Sequence, residues 1–152
     1  QQVEHECELA IVIGKKAKMI LPEDAYSYIF GYTAANDVTA RDLQKKDETW
    51  TRAKGFDTFC PLGPWIETDF ESADAMLTCR VNSELRQMAS TRDMIFPIPS
   101  LLAFISSIMT LNPGDVILTG TPAGTAPLDA GDVVEVQIDG IGSLTNPVVK
   151  SI

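Results

Sequence analysis

Glu4-His5-Glu6-Cys7-Glu8 leads directly into the apolar stretch Leu9-Ala10-Ile11-Val12-Ile13-Gly14, and the predicted fold is organised around this segment. The apolar stretch predicts a buried strand. Side chains two apart on a strand share one face, so Glu6 and Glu8 point the same way, and Glu4 extends that face if the strand begins early enough. Two interpretations are open at this point. The acids are either a charged strand end that faces water or a cluster around a cation, because close carboxylates repel each other unless a cation lies between them.

Carboxylate oxygens at this spacing suit Mg²⁺, Mn²⁺ or Ca²⁺ better than Zn²⁺. His5 is the only histidine of the chain, and it points away from the acidic face, so we do not expect it to be a ligand. The sequence gives no sign of a Ser-His-Asp triad. A Cys-His pair would have to join His5 to one of the three cysteines, which are Cys7, Cys60 and Cys79. Nothing in the sequence suggests such a pair.

Composition limits the class of protein. The 152 residues fit one domain, and 45% hydrophobic with 22% charged residues is typical of a globular protein. The net charge of −9 argues against a nucleic-acid or anionic membrane surface as partner. Few cysteines, no signal peptide and no apolar run long enough to span a bilayer favour a cytoplasmic protein. The chain begins at Gln1 without a methionine, and we expect that an N-terminal portion is missing.

Local patterns predict a mainly β, α+β single domain. Thr39 as N-cap and Asp42 at N3 resemble a capping box for a short helix that ends near Lys46. Asn82-Ser83 predicts the turn of a hairpin. The remaining expectations, by residue number, are a short helix at 25–30, strands at 31–38, from 65, at 116–118, 132–138 and 141–149, hairpin strands at 76–81 and 85–87, a long loop at 47–63 and a helix at 98–109.

Asp37 follows a predicted strand, four residues before Arg41 and seven before Gln44. Arg41 and Gln44 share one helix face, so the three side chains are able to form a pocket for a metal and an anionic substrate. The alternative is local capping around Thr39, with Arg41 on a solvated face.

Two further segments have both a functional and an ordinary interpretation. Lys54 lies in a Gly-containing loop, where it is either a surface lysine or a cation that faces a developing enolate. The turn Thr119-Gly120-Thr121-Pro122 follows a buried strand and is either a plain turn or a carboxylate-binding loop with free backbone donors. It is not a phosphate-binding Walker loop, because it lacks the Gly-Lys-Ser/Thr signature.

Five motifs occur along the chain in the same order as in a known family. Together they resemble the fumarylacetoacetate hydrolase superfamily over essentially the whole chain. They are Glu6-x-Glu8-Leu-Ala-x-Val-Ile-Gly, Asn36-Asp37-Val38-Thr39-Ala40-Arg41-Asp42, Ala53-Lys54-Gly55-Phe56-Asp57, Val81-Asn82-Ser83-Glu84-Leu85-Arg86-Gln87 and Leu118-Thr119-Gly120-Thr121-Pro122.

The resemblance implies a mixed β-sheet roll, a homodimer, and a catalytic domain at 1–152 that lacks an N-terminal lid or small domain. It implies a Mg²⁺ or Mn²⁺ ion as cofactor, with Glu6, Glu8 and Asp37 as ligands. It also implies substrate contacts from four residues, among which Lys54 is catalytic: Arg41, Gln44, Lys54, Thr121.

The branch that this chain resembles is the bacterial 2-hydroxyhepta-2,4-diene-1,7-dioate isomerase and acylpyruvase-like branch. This implies isomerisation or decarboxylation of a small 2-oxo or 2-hydroxy-enoic acid in aromatic catabolism. The alternatives are a C–C hydrolase of acylpyruvate or fumarylacetoacetate type, an oxaloacetate decarboxylase, and a metal- and acid-binding domain without turnover. In hydrolytic members a His–Glu pair precedes the Glu-x-Glu strand, and His5 does not match its position.

Overall fold

The computed structural model describes residues 2–150, so Gln1, Ser151 and Ile152 of the predicted 1–152 domain lie outside the described residues. Ten strands account for most of the regular structure and confirm the mainly β, α+β class. The strands are β1 (Val3–Glu4), β2 (Cys7–Ile13), β3 (Ile29–Asn36), β4 (Thr39–Ala40), β5 (Leu62–Glu67), β6 (Met76–Val81), β7 (Glu84–Ser90), β8 (Val116–Leu118), β9 (Val133–Ile138) and β10 (Gly142–Pro147).

The strands form two four-stranded sheets and one small pair. One sheet has the order β5-β3-β2-β8, the other has the order β10-β9-β6-β7, and β1 pairs with β4. Within residues 2–150 every pairing between these strands is antiparallel. The strand that begins at Cys7 therefore lies inside its sheet, between β3 and β8.

The core lies between the two large sheets, because alternate residues of their strands point inward. Leu9, Ile11 and Ile13 of β2 are buried, and so are apolar residues at every second position of β6 and β9: Leu77, Cys79, Val81, Val134, Val136, Ile138. The other face of β2 is buried as well, which explains why its apolar run is continuous rather than alternating.

The predicted hairpin is present. The turn residues Asn82 and Ser83 both have positive φ, at 51° and 71°, which is the backbone of a tight two-residue connection between twisted strands. Val81 pairs with Glu84 across the turn. The hairpin brings β7 to the edge of its sheet, where it later contributes to the site.

The helices are α1 (Arg41–Lys46), α2 (Thr51–Lys54) and α3 (Ile98–Ile108), with 3₁₀ turns at Pro22–Tyr28 and Thr91–Asp93. The capping-box prediction for α1 is wrong. Thr39 belongs to strand β4, and Ala40 is the N-cap. The Thr39 hydroxyl donates to the Asp37 carbonyl at 2.7 Å and does not cap the helix. The predicted helix at 25–30 is a 3₁₀ turn that ends at Tyr28, and the following residues begin β3.

The predicted loop at 47–63 contains helix α2 and the beginning of β5, so it is shorter and more ordered than the pattern indicates. Helix α3 buries Ile98, Leu102 and Ser106, and the Ser106 hydroxyl accepts from the Ile20 backbone N–H at 3.2 Å. Among residues 2–150, no helix has both the length and the apolar character required to cross a membrane.

Candidate active site

Three predicted acids converge where β2 begins and β3 ends. Asp37 follows β3 directly, and its backbone N–H donates to the Glu6 carbonyl at 2.9 Å. The Glu6 N–H donates in turn to Asn36 Oδ1 at 2.9 Å, so the two strand ends are tied together. Glu8 follows on β2. One carboxylate oxygen from each of Glu6, Glu8 and Asp37 lies within 4.8 Å of the others.

These acids are not a charged strand end in water. Glu4, Glu6 and Glu8 are only 7%, 7% and 3% exposed, which excludes the first of the two interpretations given above. Buried carboxylates need compensating charge or protonation. The structure shows where part of that charge comes from.

Arg41 and Lys54 neutralise the cluster from the side of the two short helices. Arg41 donates from Nε to Glu4 at 2.8 Å, and from its terminal nitrogens to Glu6 at 2.6 Å and to the Gln44 side chain at 2.5 Å. Lys54 Nζ bridges Glu6 at 2.7 Å and Asp37 at 2.5 Å. Arg41 is therefore not on a solvated face, and Lys54 is not an ordinary surface lysine.

The charges of the site follow from these contacts. Burial raises the pKa of Glu8 to about 7, and the nearby Asp37 and Glu6 charges add to the effect although Glu8 accepts a backbone hydrogen bond. Burial acts to lower the pKa of Lys54, but its hydrogen bonds and ion pairs with Asp37 and Glu6 outweigh it, so that the pKa is raised. Lys54 is therefore a cation at neutral pH.

The turn after β8 closes the opposite side. The Gly120 N–H donates to Glu8 Oε2 at 2.6 Å, and the Thr119 hydroxyl donates to the Leu9 carbonyl at 2.9 Å. The Thr121 hydroxyl donates to the Cys7 carbonyl at 2.9 Å. This turn is thus fixed against β2 by side chains of its own and by an acid of the cluster.

All seven predicted site residues line one cavity of about 430 Å³: Glu6, Glu8, Asp37, Arg41, Gln44, Lys54, Thr121. Sequence reasoning missed Trp50 and Leu118, which line the same cavity. Trp50 is 61% exposed and lies one helical turn before Lys54, whose backbone N–H donates to the Trp50 carbonyl at 3.1 Å. Recognising α2 in the sequence would have placed Trp50 beside Lys54.

His5 lies behind this cavity and not in it. The ring is fully buried, and Nδ1 lies 2.9 Å from the Gln87 amide oxygen and 3.4 Å from Cys79 Sγ. No pattern in the sequence predicts this Cys-His contact. Burial lowers the pKa of His5 and raises that of Cys79 to about 12, so both groups are neutral and the pair lacks the thiolate of a nucleophilic cysteine.

The acidic cluster suits a hard divalent cation. Ligand oxygens around an octahedral Mg²⁺ lie about 3–4 Å apart, and the 4.8 Å limit of the cluster is close to this range. Burial is the main cause of the raised pKa of Glu8, and Lys54 pairs with Glu6 and Asp37 rather than with Glu8 in residues 2–150. The chemistry of three oxygen donors without a histidine or thiol fits Mg²⁺ or Mn²⁺.

The α+β domain thus combines one cavity with a cluster of three acids and two cationic side chains, which makes the cavity a candidate site for a divalent cation and a small molecule. The family model described as fumarylacetoacetate (FAA) hydrolase C-terminal matches residues 1–149. The chain belongs to this family.

A similar solved structure is that of 5-carboxymethyl-2-hydroxymuconate delta-isomerase from Mycobacterium smegmatis, with a TM-score of 0.98 and 52% identity over 100% of this chain and 61% of that chain. Oxaloacetate tautomerase of Xenopus laevis is 48% identical over 161 residues, 98% of this chain and 50% of that protein. Maleylpyruvate hydrolase from Sphingobium sp. SYK-6, solved with manganese(II) and pyruvate, has a TM-score of 0.91 and 40% identity over 99% of this chain and 56% of that chain.

This chain spans between 50% and 69% of the length of eight curated relatives to which it is similar. The relatives are similar over nearly all of this chain, so the family and the fold apply to it directly. What the whole relatives do is carried over only as a proposal.

Proposed function

We propose that this chain is a divalent-metal-dependent isomerase that interconverts the enol and keto forms of a small 2-oxo or 2-hydroxy-enoic acid. The observation that carries the proposal is the convergence of two buried carboxylates, the half-buried carboxylate of Asp37 and a cationic lysine on one cavity. Relatives named as an isomerase and an oxaloacetate tautomerase support the same class of chemistry.

In this proposal Glu6, Glu8 and Asp37 hold Mg²⁺ or Mn²⁺. The solved manganese complex of a similar hydrolase supports a divalent cation in this family. When bound, the metal supplies a Lewis acid that polarises a carbonyl and stabilises negative charge on its oxygen. The three acids contribute negative charge. The backbone hydrogen bond from Asp37 to Glu6 holds two of these acids at a fixed separation.

Arg41 and Gln44 orient the carboxylate end of the substrate. A guanidinium carries five N–H groups, and the contacts with Glu4, Glu6 and Gln44 leave two of them for a ligand. In this proposal these two groups bind the substrate carboxylate, because a planar guanidinium suits such a ligand.

Lys54 is the proposed catalytic residue. Its ammonium group lies between Glu6 and Asp37 at the cavity wall, and the raised pKa keeps it charged. A fixed cation lowers the energy of an enolate more than that of a neutral ketone, because the charge develops in the transition state. Lys54 therefore acts by stabilising the enolate oxygen and by donating a hydrogen bond to it, not as a base.

Hydrolysis of a C–C bond is the second candidate, because the similar Sphingobium structure is a maleylpyruvate hydrolase with pyruvate bound. That reaction needs a general base that deprotonates and aims water, which contributes about 10²–10⁴-fold. Glu6 and Asp37 are engaged with Arg41 and Lys54. Enol–keto exchange and decarboxylation of a chelated 2-oxo acid place less demand on such a base, so we rank them first.

The test is a substrate panel with the purified protein in Mg²⁺, Mn²⁺ or chelator. The absorbance of enol-oxaloacetate follows tautomerisation, pyruvate release follows decarboxylation, and acylpyruvates report hydrolysis. We expect metal-dependent acceleration of ketonisation that is lost in Asp37→Asn and kept in Asp69→Asn, a matched change at an exposed aspartate. Metal-independent rates, or equal rates in the two variants, would contradict the proposal. Metal-dependent acylpyruvate cleavage without tautomerisation would favour the hydrolase.

Three further features stay part of the proposal. A role in aromatic catabolism and the formation of a homodimer both rest on the resemblance to the family. Light scattering of the purified protein across a concentration series tests the dimer, and for residues 1–152 expressed alone we expect a mass twice the chain mass of 16.5 kDa. Cytoplasmic location rests on the few cysteines.

A further inference from the structure

Gln87 connects the two large sheets behind the candidate site. It lies on β7 and is 2% exposed, whereas β2 and the turn after β8 belong to the other sheet. Its amide nitrogen lies 2.8 Å from Thr121 Oγ1 and 2.8 Å from the Pro122 carbonyl. Its amide oxygen lies 3.1 Å from the Cys7 backbone nitrogen.

Two of these contacts fix the orientation of the amide. The Cys7 backbone N–H is only a donor, so the atom that faces it is the amide oxygen. The Pro122 carbonyl is only an acceptor, so the atom that faces it is the amide nitrogen. Gln87 therefore donates to the Thr121 hydroxyl and does not accept from it.

The hydroxyl proton of Thr121 has another destination. Thr121 Oγ1 lies 2.9 Å from the Cys7 carbonyl, which accepts and cannot donate. The hydroxyl thus donates a hydrogen bond to the Cys7 carbonyl and accepts one from the Gln87 amide. A hydroxyl has one proton and two lone pairs, so a single lone pair is left for a ligand in the cavity.

We propose that Gln87 is a positioning residue that makes the Thr121 hydroxyl a hydrogen-bond acceptor toward the substrate, and that this acceptor selects a protonated 2-oxygen, the hydroxyl of a 2-hydroxy acid or enol, over a ketone. An acceptor gains a hydrogen bond from an O–H group and none from a carbonyl. A Thr121 hydroxyl that acts in this way does not donate to a substrate carboxylate.

The rest of the turn is held in the same place. Gly124 has φ of 106°, and an added Cβ would collide with the Arg86 carbonyl on β7. The segment therefore lies directly against the strand that carries Gln87. Close packing of this kind keeps Thr121 from moving to a rotamer that frees its proton.

The inference rests on the proposed function and is tested by binding rather than by turnover. The probes are lactate, whose 2-oxygen carries a proton, and pyruvate, whose 2-oxygen does not. Calorimetry in Mn²⁺ gives both dissociation constants. We expect Thr121→Val to weaken lactate binding about fivefold, the worth of one hydrogen bond, with pyruvate binding changed much less. Thr121→Ser, which keeps the hydroxyl, restores the ratio.

Gln87→Met removes the amide that donates to Thr121 while keeping the side-chain length. The Thr121 hydroxyl is then no longer held as an acceptor, and it is able to donate a hydrogen bond to lactate or to pyruvate. We expect the lactate-to-pyruvate ratio to move toward that of Thr121→Val. Should this variant fail to fold, the Thr121 pair still decides the question, because valine is isosteric with threonine. Equal weakening of both ligands in Thr121→Val, or a larger effect on pyruvate, overturns the inference. If neither ligand binds the wild-type protein in Mn²⁺, the proposed function fails together with it.

Discussion

Replacing Glu8 by glutamine separates the effect of the acidic cluster on folding stability from its effect on metal binding. Glu8 is 3% exposed and accepts a backbone hydrogen bond from Gly120, but it forms no salt bridge with any of residues 2–150. Burial, followed by the charges of Asp37 and Glu6, raises its pKa from 4.5 to about 7. Glutamine keeps the size and the acceptor for Gly120 but removes the charge.

The magnitude follows from the shift in pKa. A rise from 4.5 to about 7 means that ionised Glu8 costs the metal-free folded state about 3 kcal/mol. Because the folded state holds this proton more tightly than the unfolded state, the contribution of Glu8 to stability falls between about pH 4.5 and pH 7. We therefore expect Glu8→Gln to be up to about 3 kcal/mol more stable than wild type at pH 8 in chelator, and nearly equal to it at pH 4.

Glu6→Gln is the matched control at the neighbouring position. Glu6 pairs with Arg41 at 2.6 Å and with Lys54 at 2.7 Å, and all three side chains are less than a fifth exposed. Removing its charge leaves both cations with fewer partners, which costs roughly 1–3 kcal/mol after allowance for the exposed part. The two substitutions are thus expected to change stability in opposite directions, although both weaken Mg²⁺ binding sharply.

Urea unfolding at pH 8 and pH 4 in chelator measures both effects, and calorimetry with Mg²⁺ measures the loss of the ligand. A Glu8→Gln variant that is as destabilised at pH 8 as Glu6→Gln would show that ionised Glu8 is already compensated in the metal-free protein. Unchanged Mg²⁺ affinity in Glu6→Gln, Glu8→Gln and Asp37→Asn would refute the ligand assignment.

Three substitutions and one spectroscopic measurement test other parts of the site. Arg41→Lys keeps the charge but loses the planar fork, so calorimetry should show at least about tenfold weaker oxalate binding in Mn²⁺, some 1.4 kcal/mol, while metal affinity hardly moves; an effect on the metal alone would misplace Arg41. Lys54→Met should lower kcat at least about a hundredfold in the ketonisation assay with metal binding retained, and an unchanged kcat would remove it from catalysis. Trp50→Ala should raise KM for substrates with a long unsaturated chain more than for oxaloacetate, because Trp50 lines the cavity mouth; Trp50→Phe is its control, and equal effects on both substrates would argue against a side-chain contact. The nitrogen NMR spectrum of labelled His5 should show the Nδ1–H tautomer, since Nδ1 faces the amide oxygen of Gln87, and the other tautomer would contradict a hydrogen bond from His5 to Gln87.

Much of the fold was predictable because its signals are local. The Cys7 strand, the hairpin around Asn82-Ser83 and helix α3 each follow from a run of adjacent residues, and the structure confirms all three. Thr39 misled the prediction because its hydroxyl bonds the Asp37 carbonyl, and pairing of β4 with β1 overrides the capping pattern.

The position of the candidate residues was also predictable, since the motifs lie at the ends of strands that pair directly. Pairing of β2 with β3 brings Glu6 and Glu8 to Asp37, and pairing of β2 with β8 brings the 119–122 turn to Glu8. The burial of the acids was not predictable, because it depends on α1 and α2 folding over the strand ends. Arg41 pairs with Glu4 across 37 residues, a contact that no local pattern contains.

The buried contacts behind the cavity were out of reach for a different reason. Gln87 and Cys79 come from the second sheet, and they meet His5 and Thr121 only where the two sheets pack. A glutamine on an edge strand is typically predicted to be a surface residue. Here its amide bonds the Cys7 N–H and the Pro122 carbonyl, and it orients the Thr121 hydroxyl in the cavity. Since the acids lie in one sheet and this amide in the other, metal affinity and 2-oxygen selectivity depend on different packing contacts. A substitution at Gln87 should therefore change ligand selectivity while leaving the carboxylate cluster intact, which no substitution among the acids is able to do.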